Sequence, residues 1–276
     1  MYVSSDEPLP LRTSVASARQ KLEATLASEL TVTDGRAYDQ FVATAPAGHY
    51  TQTRAWARVA TAGRPFAPLY FLARRAGTVI GAGLVLRSCF GVVPLPFAQL
   101  ERGPVCARLE DLPEVLAALR HCCLQRGIFR LSVMPYWTGD DRAKVEKILS
   151  AAGFTDCQRF AGRHVRTLRL DLTALNSEKP WSASGLSKVR QNIGRASRTG
   201  ASARLGRRED LAAFRAMQAS LLAPEGKKPP PDAWYQALGD YFLGALSGKV
   251  PARVARILRI GVQSTPGGFP SESVTI

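Results

Sequence analysis

Apolar positions along this chain recur with two different periods, and the switches between them mark out the elements. Behind Asp34-Gly35, the residues Tyr38, Phe41 and Val42 follow helical spacing, and a second short helix is predicted around Trp56 to Ala60. The period then falls to two. Leu69 to Arg74 and Val79 to Arg87 read as strands joined at Ala76-Gly77, the pattern of a hairpin. Gly81 and Gly83 inside the second strand predict a bulge or a close backbone approach. Val93-Pro94-Leu95-Pro96 interrupts the alternation, and Phe97 to Leu100 predicts a further strand running into Arg102-Gly103-Pro104-Val105.

Helical spacing returns with Leu112, Val115, Leu116, Leu119 and Cys123, opened by Asp111 as N-cap and closed by Gly127. Ile128 to Met134 predicts a strand. Asp140 and Asp141 open another helix with Val145, Ile148, Leu149 and Ala152 inward and Gly153 at its end. His164 to Leu172 alternates apolar with basic or polar residues, as a strand with one wet face does. Upstream, residues 14–30 carry good helix formers and predict a helix in an N-terminal extension.

The second half is patterned as helices. Leu186, Val189, Ile193 and Ala196 form one stripe of a short helix ending near Gly200. Lys188, Gln191, Arg195 and Arg198 lie on its far side, with Arg190 at the border of the stripe. Asp210 to Leu222 predicts a helix with Leu211, Phe214 and Leu221 inward. After Lys227-Lys228 and three prolines, Asp232 to Leu246 predicts another, with Trp234, Leu238, Tyr241 and Phe242 on one side. Beyond Gly248 the pattern breaks: Val254 to Val262 can form one strand, and 263–276 reads as turn residues and polar tail.

The order helices, hairpin, strand, helix, strand, helix, strand predicts an α/β (α+β) fold, a mixed sheet flanked by helices, and resembles a GNAT-type acyltransferase unit. The expected organisation is an extension at 1–30, a first GNAT-like domain at 31–172, the beginning of a second at 173–248, and an atypical tail at 249–276. Helices without a following sheet leave that second unit incomplete.

Composition narrows the function. With 46% hydrophobic and 21% charged residues among 276, the chain can bury a substantial core. Its net charge of +15 favours nucleic acid, phosphorylated metabolites or anionic lipid as partners. That charge is concentrated: residues 159–208 hold 12 Lys/Arg against 2 Asp/Glu. Five cysteines with no CxxC spacing and three scattered histidines argue for reduced thiols and against a metal site. The opening MYVSSDEPLPLR has no apolar core of a signal peptide, and no apolar run reaches the roughly 20 residues of a membrane span, so a cytoplasmic protein is expected.

Several segments, taken in order, resemble the FemABX family: GHYTQTRAWARV (Gly48 to Val59), VIGAGLVL (Val79 to Leu86), RGPV (Arg102 to Val105), Gly153-Phe154, TLRLDLT (Thr167 to Thr173) and VRQNIGRASRTG (Val189 to Gly200). These aminoacyltransferases add amino acids to the stem peptide of the peptidoglycan precursor. The resemblance implies two GNAT-like domains, substrate in a cleft between them, and aminoacyl-tRNA rather than a bound cofactor as the donor. Gln52 and Trp56 match the family's QSxxWAxV pattern, with Thr53 in the serine place. Where the family often carries a lysine after WAxV, this chain has Ala60.

Both implied substrates are rich in phosphate, a tRNA and a muropeptide precursor, either UDP-linked or lipid-linked. Forked guanidinium hydrogen bonds suit such oxygens. Arg190 and Arg195, with Asn192 beside them, are therefore candidate substrate ligands; Arg190 is equally well placed to cover the apolar stripe with its methylenes. Arg102 closes a strand at the expected cleft edge. For Trp56 the preferred reading is packing of its helix against the hairpin.

No catalytic residue is identified. The chain has no GxSxG elbow and no recognisable Cys/His pair, and aminoacyl transfer to an amine needs no covalent enzyme intermediate. Asp171 is a conceivable base and equally a turn residue. Two alternatives stand beside this reading. One is an acyl-CoA-dependent N-acyltransferase, although CARLEDLPEV has no glycine and carries acids where a pyrophosphate-binding loop is needed. The other is a non-catalytic relative with a basic RNA-binding surface. Peripheral contact with an anionic membrane is compatible with the charge.

Overall fold

The computed structural model describes residues 22–137, 139–155, 187–200, 202–205, 207–246, 261–264 and 274–275. Its centre is a six-stranded sheet. Strands β1 (Leu22–Ala27), β2 (Phe66–Arg75), β3 (Thr78–Phe90) and β4 (Val93–Glu101) pair antiparallel in that order. Strand β6 (Arg130–Met134) adds to β4 in parallel, and the short β5 (Val105–Cys106) pairs with β3. The parallel step needs a crossover, and helix α3 (Leu112–Gln125) supplies it.

Strand β3 is covered on both faces, which is why its sequence is apolar almost throughout. On one face α3 lays Leu112, Val115, Leu116 and Leu119 against Phe71, Ile80, Val85 and Leu100. On the other, helix α1 (Val32–Thr44) packs Tyr38 and Val42 on Leu72 and Ala82, and α2 (Arg54–Thr61) packs Ala57 and Ala60 on Leu84 and Leu86. Both devices expected at the glycines occur. The register slips between Ala73 and Arg74 opposite Ile80, and α3 approaches so closely that a Cβ on Gly81 would lie 2.7 Å from Val115. Helix α4 (Asp141–Ala151) adds Val145 and Ile148 to the same core.

The structure corrects several local expectations. Residues 22–27 form strand β1, not helix: Leu22, Ala24 and Leu26 turn inward with period two because β2 offers an open edge. Strand β4 begins at Val93 and contains both prolines, accommodated where its register with β3 slips between Arg87 and Cys89. Asp111 precedes α3 but makes no cap hydrogen bond, since two arginines take its carboxylate. Leu221 is 66% exposed, and Phe214 and Met217 are the buried residues of its helix.

In the second half, α6 (Leu211–Leu222) and α7 (Asp232–Leu246) pack together, and Gly239 lets Leu211 approach to 2.6 Å of where a Cβ would be. Tyr235, Leu238 and Tyr241 of α7 join Phe214 and Met217 around Val59 of α2, so the two halves share a core. Gly63, at φ +63°, admits Pro231 beside this joint. Three short strands, β7 (Ser202–Leu205), β8 (Gly261–Ser264) and β9 (Val274–Thr275), pair antiparallel. A small sheet therefore accompanies the later helices; β8 overlaps the end of the strand expected at Val254 to Val262, whereas β7 and β9 lie where the sequence predicts none. The expected strand at His164 to Leu172, Asp171 within it, and the 172/173 boundary lie outside the described residues.

Candidate functional site

Strand β3 has a split edge: β5 pairs with Gly81 and Ala82, and β4 pairs from Leu86 onward. Among the described residues no strand pairs with the backbone between them on this edge, and Gln52 fills the gap from the 3-10 turn Tyr50–Gln52. Its Oε1 accepts the Leu84 N–H at 2.7 Å, and its Nε2 donates to the Glu101 carbonyl. The Tyr38 hydroxyl donates to the Gln52 carbonyl at 2.8 Å. Gly103 passes so close that a Cβ there would sit 2.7 Å from Gln52 Oε1. Gln52 is 1% exposed, so its amide frames the site from within.

This frame positions Arg102, whose backbone is left-handed at φ +60°, immediately after β4. The guanidinium lies 5.2 Å from the centre of the Tyr136 ring, just beyond β6. Tyr136 meets His49 edge-on at 4.9 Å, and His49 meets Tyr50 at 4.5 Å. Trp56 continues the series, edge-on to Tyr50 at 5.0 Å and to Tyr241 of α7 at 5.5 Å. An aromatic chain thus runs from the ends of the parallel strands β4 and β6 to the second half of the molecule.

Local chemistry fixes the protonation of this chain. The His49 Nδ1 accepts the Thr51 N–H at 3.3 Å and lies 2.8 Å from Thr51 Oγ1. Burial, reinforced by the Arg102 charge, pushes the imidazole down to about 4, so it is neutral near pH 7 with Nδ1 as acceptor. Burial raises the Tyr50 phenol and pushes that of Tyr241 up to about 12. Neither tyrosine ionises under ordinary conditions.

Gln52, Trp56 and Arg102 therefore come together. Arg190, Asn192 and Arg195 stand apart on α5 (Ser187–Arg198), where all three are exposed. The apolar stripe of α5 is itself open, with Val189 37% and Ile193 40% exposed. His49, Tyr50, Tyr136 and Tyr241 are additions that sequence reasoning missed. The one signal was the clustering of His49, Tyr50 and Trp56 around Gln52.

Two further positions bear on substrate class. Ala60 is 4% exposed between α2 and the sheet, so this position faces core. At the start of α3, where a phosphate-binding loop would present free amides, Asp111 and Glu114 both engage Arg75, and Arg108 adds to Asp111. Burial raises the Asp111 carboxyl, and the hydrogen bonds from Arg108 and Arg75 more than offset this, holding it below the usual range. This turn is thus already occupied by two carboxylates and the two arginines that pair with them. Among the described residues no group of three or more His, Cys, Asp or Glu could hold a metal ion, and no helix is long and apolar enough to cross a membrane. Cys106, Cys122 and Cys123 are free, buried thiols whose ionisation burial suppresses.

No family model matches the chain, and no curated protein matches it in sequence. Among solved structures it is similar to FemX, with a TM-score of 0.55 and 19% identity over 79% of this chain and 54% of FemX. The chain thus spans about half the length of FemX. An aminoglycoside N-acetyltransferase, AAC(6')-Iy in complex with CoA, aligns with 55% of this chain and 95% of its own at 15% identity, but a TM-score of 0.34 carries no argument. The sheet with its split β3 edge, the α3 crossover and the helices of the second half together give this chain a FemX-like, mixed α/β fold.

Proposed function

We propose that this chain is a FemX-type aminoacyltransferase, moving an amino acid from aminoacyl-tRNA to the stem peptide of a peptidoglycan precursor in the cytoplasm. The observation that carries the reading is the FemX-like fold over 79% of the chain. The exposed basic helix α5 supports it, because a tRNA and a precursor diphosphate both present oxygens that arginine forks bind.

In this reading Arg190 and Arg195 hold phosphate, with Asn192 beside them. Arg102 lies where a strand ends beside neutral His49 and Tyr136, a place for a polar group of the acceptor. Gln52 and Trp56 hold the frame behind it. The reaction is attack of the acceptor's free amine on the aminoacyl ester carbonyl; a C–N bond forms, the ester C–O bond breaks, and the tRNA ribose hydroxyl leaves. Holding the two reactants together supplies much of the acceleration in such steps.

Thermal unfolding of the purified chain tests the substrate class. A UDP-linked muramyl pentapeptide at saturating concentration should raise the midpoint, and acyl-CoA should leave it unchanged. Stabilisation by acyl-CoA alone would transfer the assignment to a CoA-dependent acyltransferase.

A further inference from the structure

Among the described residues, the largest apolar side chains open to solvent gather at one end of the sheet. The β3–β4 hairpin ends in Phe90-Gly91-Val92-Val93, with Phe90 79%, Val92 97% and Val93 56% exposed. Gly91 turns the chain at φ +57°, and a Cβ placed on it would meet nothing within 4 Å. The α3–β6 loop lies alongside: the Phe129 N–H donates to the Pro96 carbonyl at 3.0 Å, and Phe97 is in register with Arg130. Phe129 is 77% exposed. Two loops distant in sequence thus present four exposed apolar residues, two of them aromatic, at one rim.

Basic groups surround that rim. Arg87, on β3, donates from Nε to the Leu95 carbonyl at 2.8 Å, and its Nη2 lies 3.8 Å from the Cβ position of Gly127 in the neighbouring loop. Arg126 and Arg130 flank Phe129 on the same loop and strand start, and both are exposed. No carboxylate occurs from residue 88 to 100 or from 115 to 140 before Asp140. The charged side chains that these two segments bring to the rim are therefore all basic, in a chain of net charge +15.

We infer that this rim is a membrane-contact site, in which the β3–β4 tip and Phe129 enter the interface of an anionic bilayer while Arg87, Arg126 and Arg130 meet lipid phosphates. The shape selects a bilayer over a protein groove. Val92 stands almost wholly in water at the apex of a turn, an apolar point with arginines set further back on the same end of the sheet, which matches a fluid apolar layer beneath anionic headgroups. The inference goes beyond the aminoacyl-transfer reading and does not depend on it.

Co-sedimentation of the full chain with vesicles, without any enzyme substrate, tests the site. Binding to vesicles with 30% phosphatidylglycerol in phosphatidylcholine is expected, with weak binding to pure phosphatidylcholine and release by high salt. Phe90→Ser/Val92→Asp should weaken binding at least tenfold; both side chains are exposed, so circular dichroism and thermal unfolding should stay as in the parent. Val92→Trp should gain a blue-shifted emission on adding anionic vesicles that the parent lacks. No sedimentation with anionic vesicles would overturn the inference. So would undiminished binding of the double variant, which places the contact elsewhere, or a dimer of the parent that the double variant dissolves, which assigns the rim to a second copy.

Discussion

Gln52 Oε1 accepts the backbone N–H of Leu84 at 2.7 Å, and in doing so completes the stretch of sheet edge between β5 and β4 that no strand among the described residues covers. Side-chain capping of an open ladder position is local in geometry but long in sequence. It holds the turn before α2, the middle of β3 and the end of β4 in one arrangement, and Arg102 inherits its position from that arrangement.

Replacing Gln52 with Leu removes both hydrogen bonds, leaving the Leu84 N–H unsatisfied and the Glu101 carbonyl with only the Thr51 hydroxyl at 3.4 Å. A loss of about 2–4 kcal/mol follows from the cost of buried unpaired groups. Urea unfolding measures it; a loss within 0.5 kcal/mol, the ordinary surface range, would deny Gln52 its framing role.

Gly81 and Val115 make a second paired test. Gly81→Ala puts a methyl 2.7 Å from a Val115 methyl, and overpacking of this kind costs roughly 1–3 kcal/mol. Val115→Ala on the same background should recover part of that loss. Simple additivity of the two losses would mean that α3 does not approach β3 as described.

His49 predicts a pH dependence. Its folded form resists protonation down to about 4, whereas an unfolded histidine takes a proton near 6.5. Between those values the unfolded chain binds more protons, so stability falls as pH drops through that window and is unaffected above it. The loss from this group is at most about 3 kcal/mol. His49→Gln should flatten the curve between pH 7 and 4, and an unchanged slope would show that His49 protonates freely in the fold.

Arg190→Ala with Arg195→Ala should weaken tRNA binding at least tenfold and lower its salt dependence by about two released ions. Both side chains are exposed, so thermal unfolding should not change. Retained affinity would remove α5 from the site.

The hairpin, α3 and the short helices were legible because their signals are local: period-two alternation about Ala76-Gly77, and an apolar stripe from Leu112 to Cys123. Strand β1 was not, because LEATLA is rich in helix formers and only the open edge of β2 extends it. The aromatic chain was hidden for a related reason. His49 meets Tyr136, and Trp56 meets Tyr241, across most of the fold, and no spacing rule links residues that only topology brings together. Gln52 was singled out by its motif, whereas its task became readable only with the gap between β4 and β5.

The most direct test of the central claim is turnover. The chain is incubated with a UDP-linked muramyl pentapeptide and a set of aminoacyl-tRNAs, and the acceptor is weighed by mass spectrometry. The account predicts a gain of one aminoacyl residue, dependent on charged tRNA and reduced in the Arg190→Ala/Arg195→Ala variant. An acceptor unchanged with every aminoacyl-tRNA, from a chain shown to bind both substrates, would contradict aminoacyl transfer and leave a binding protein on a FemX-like fold.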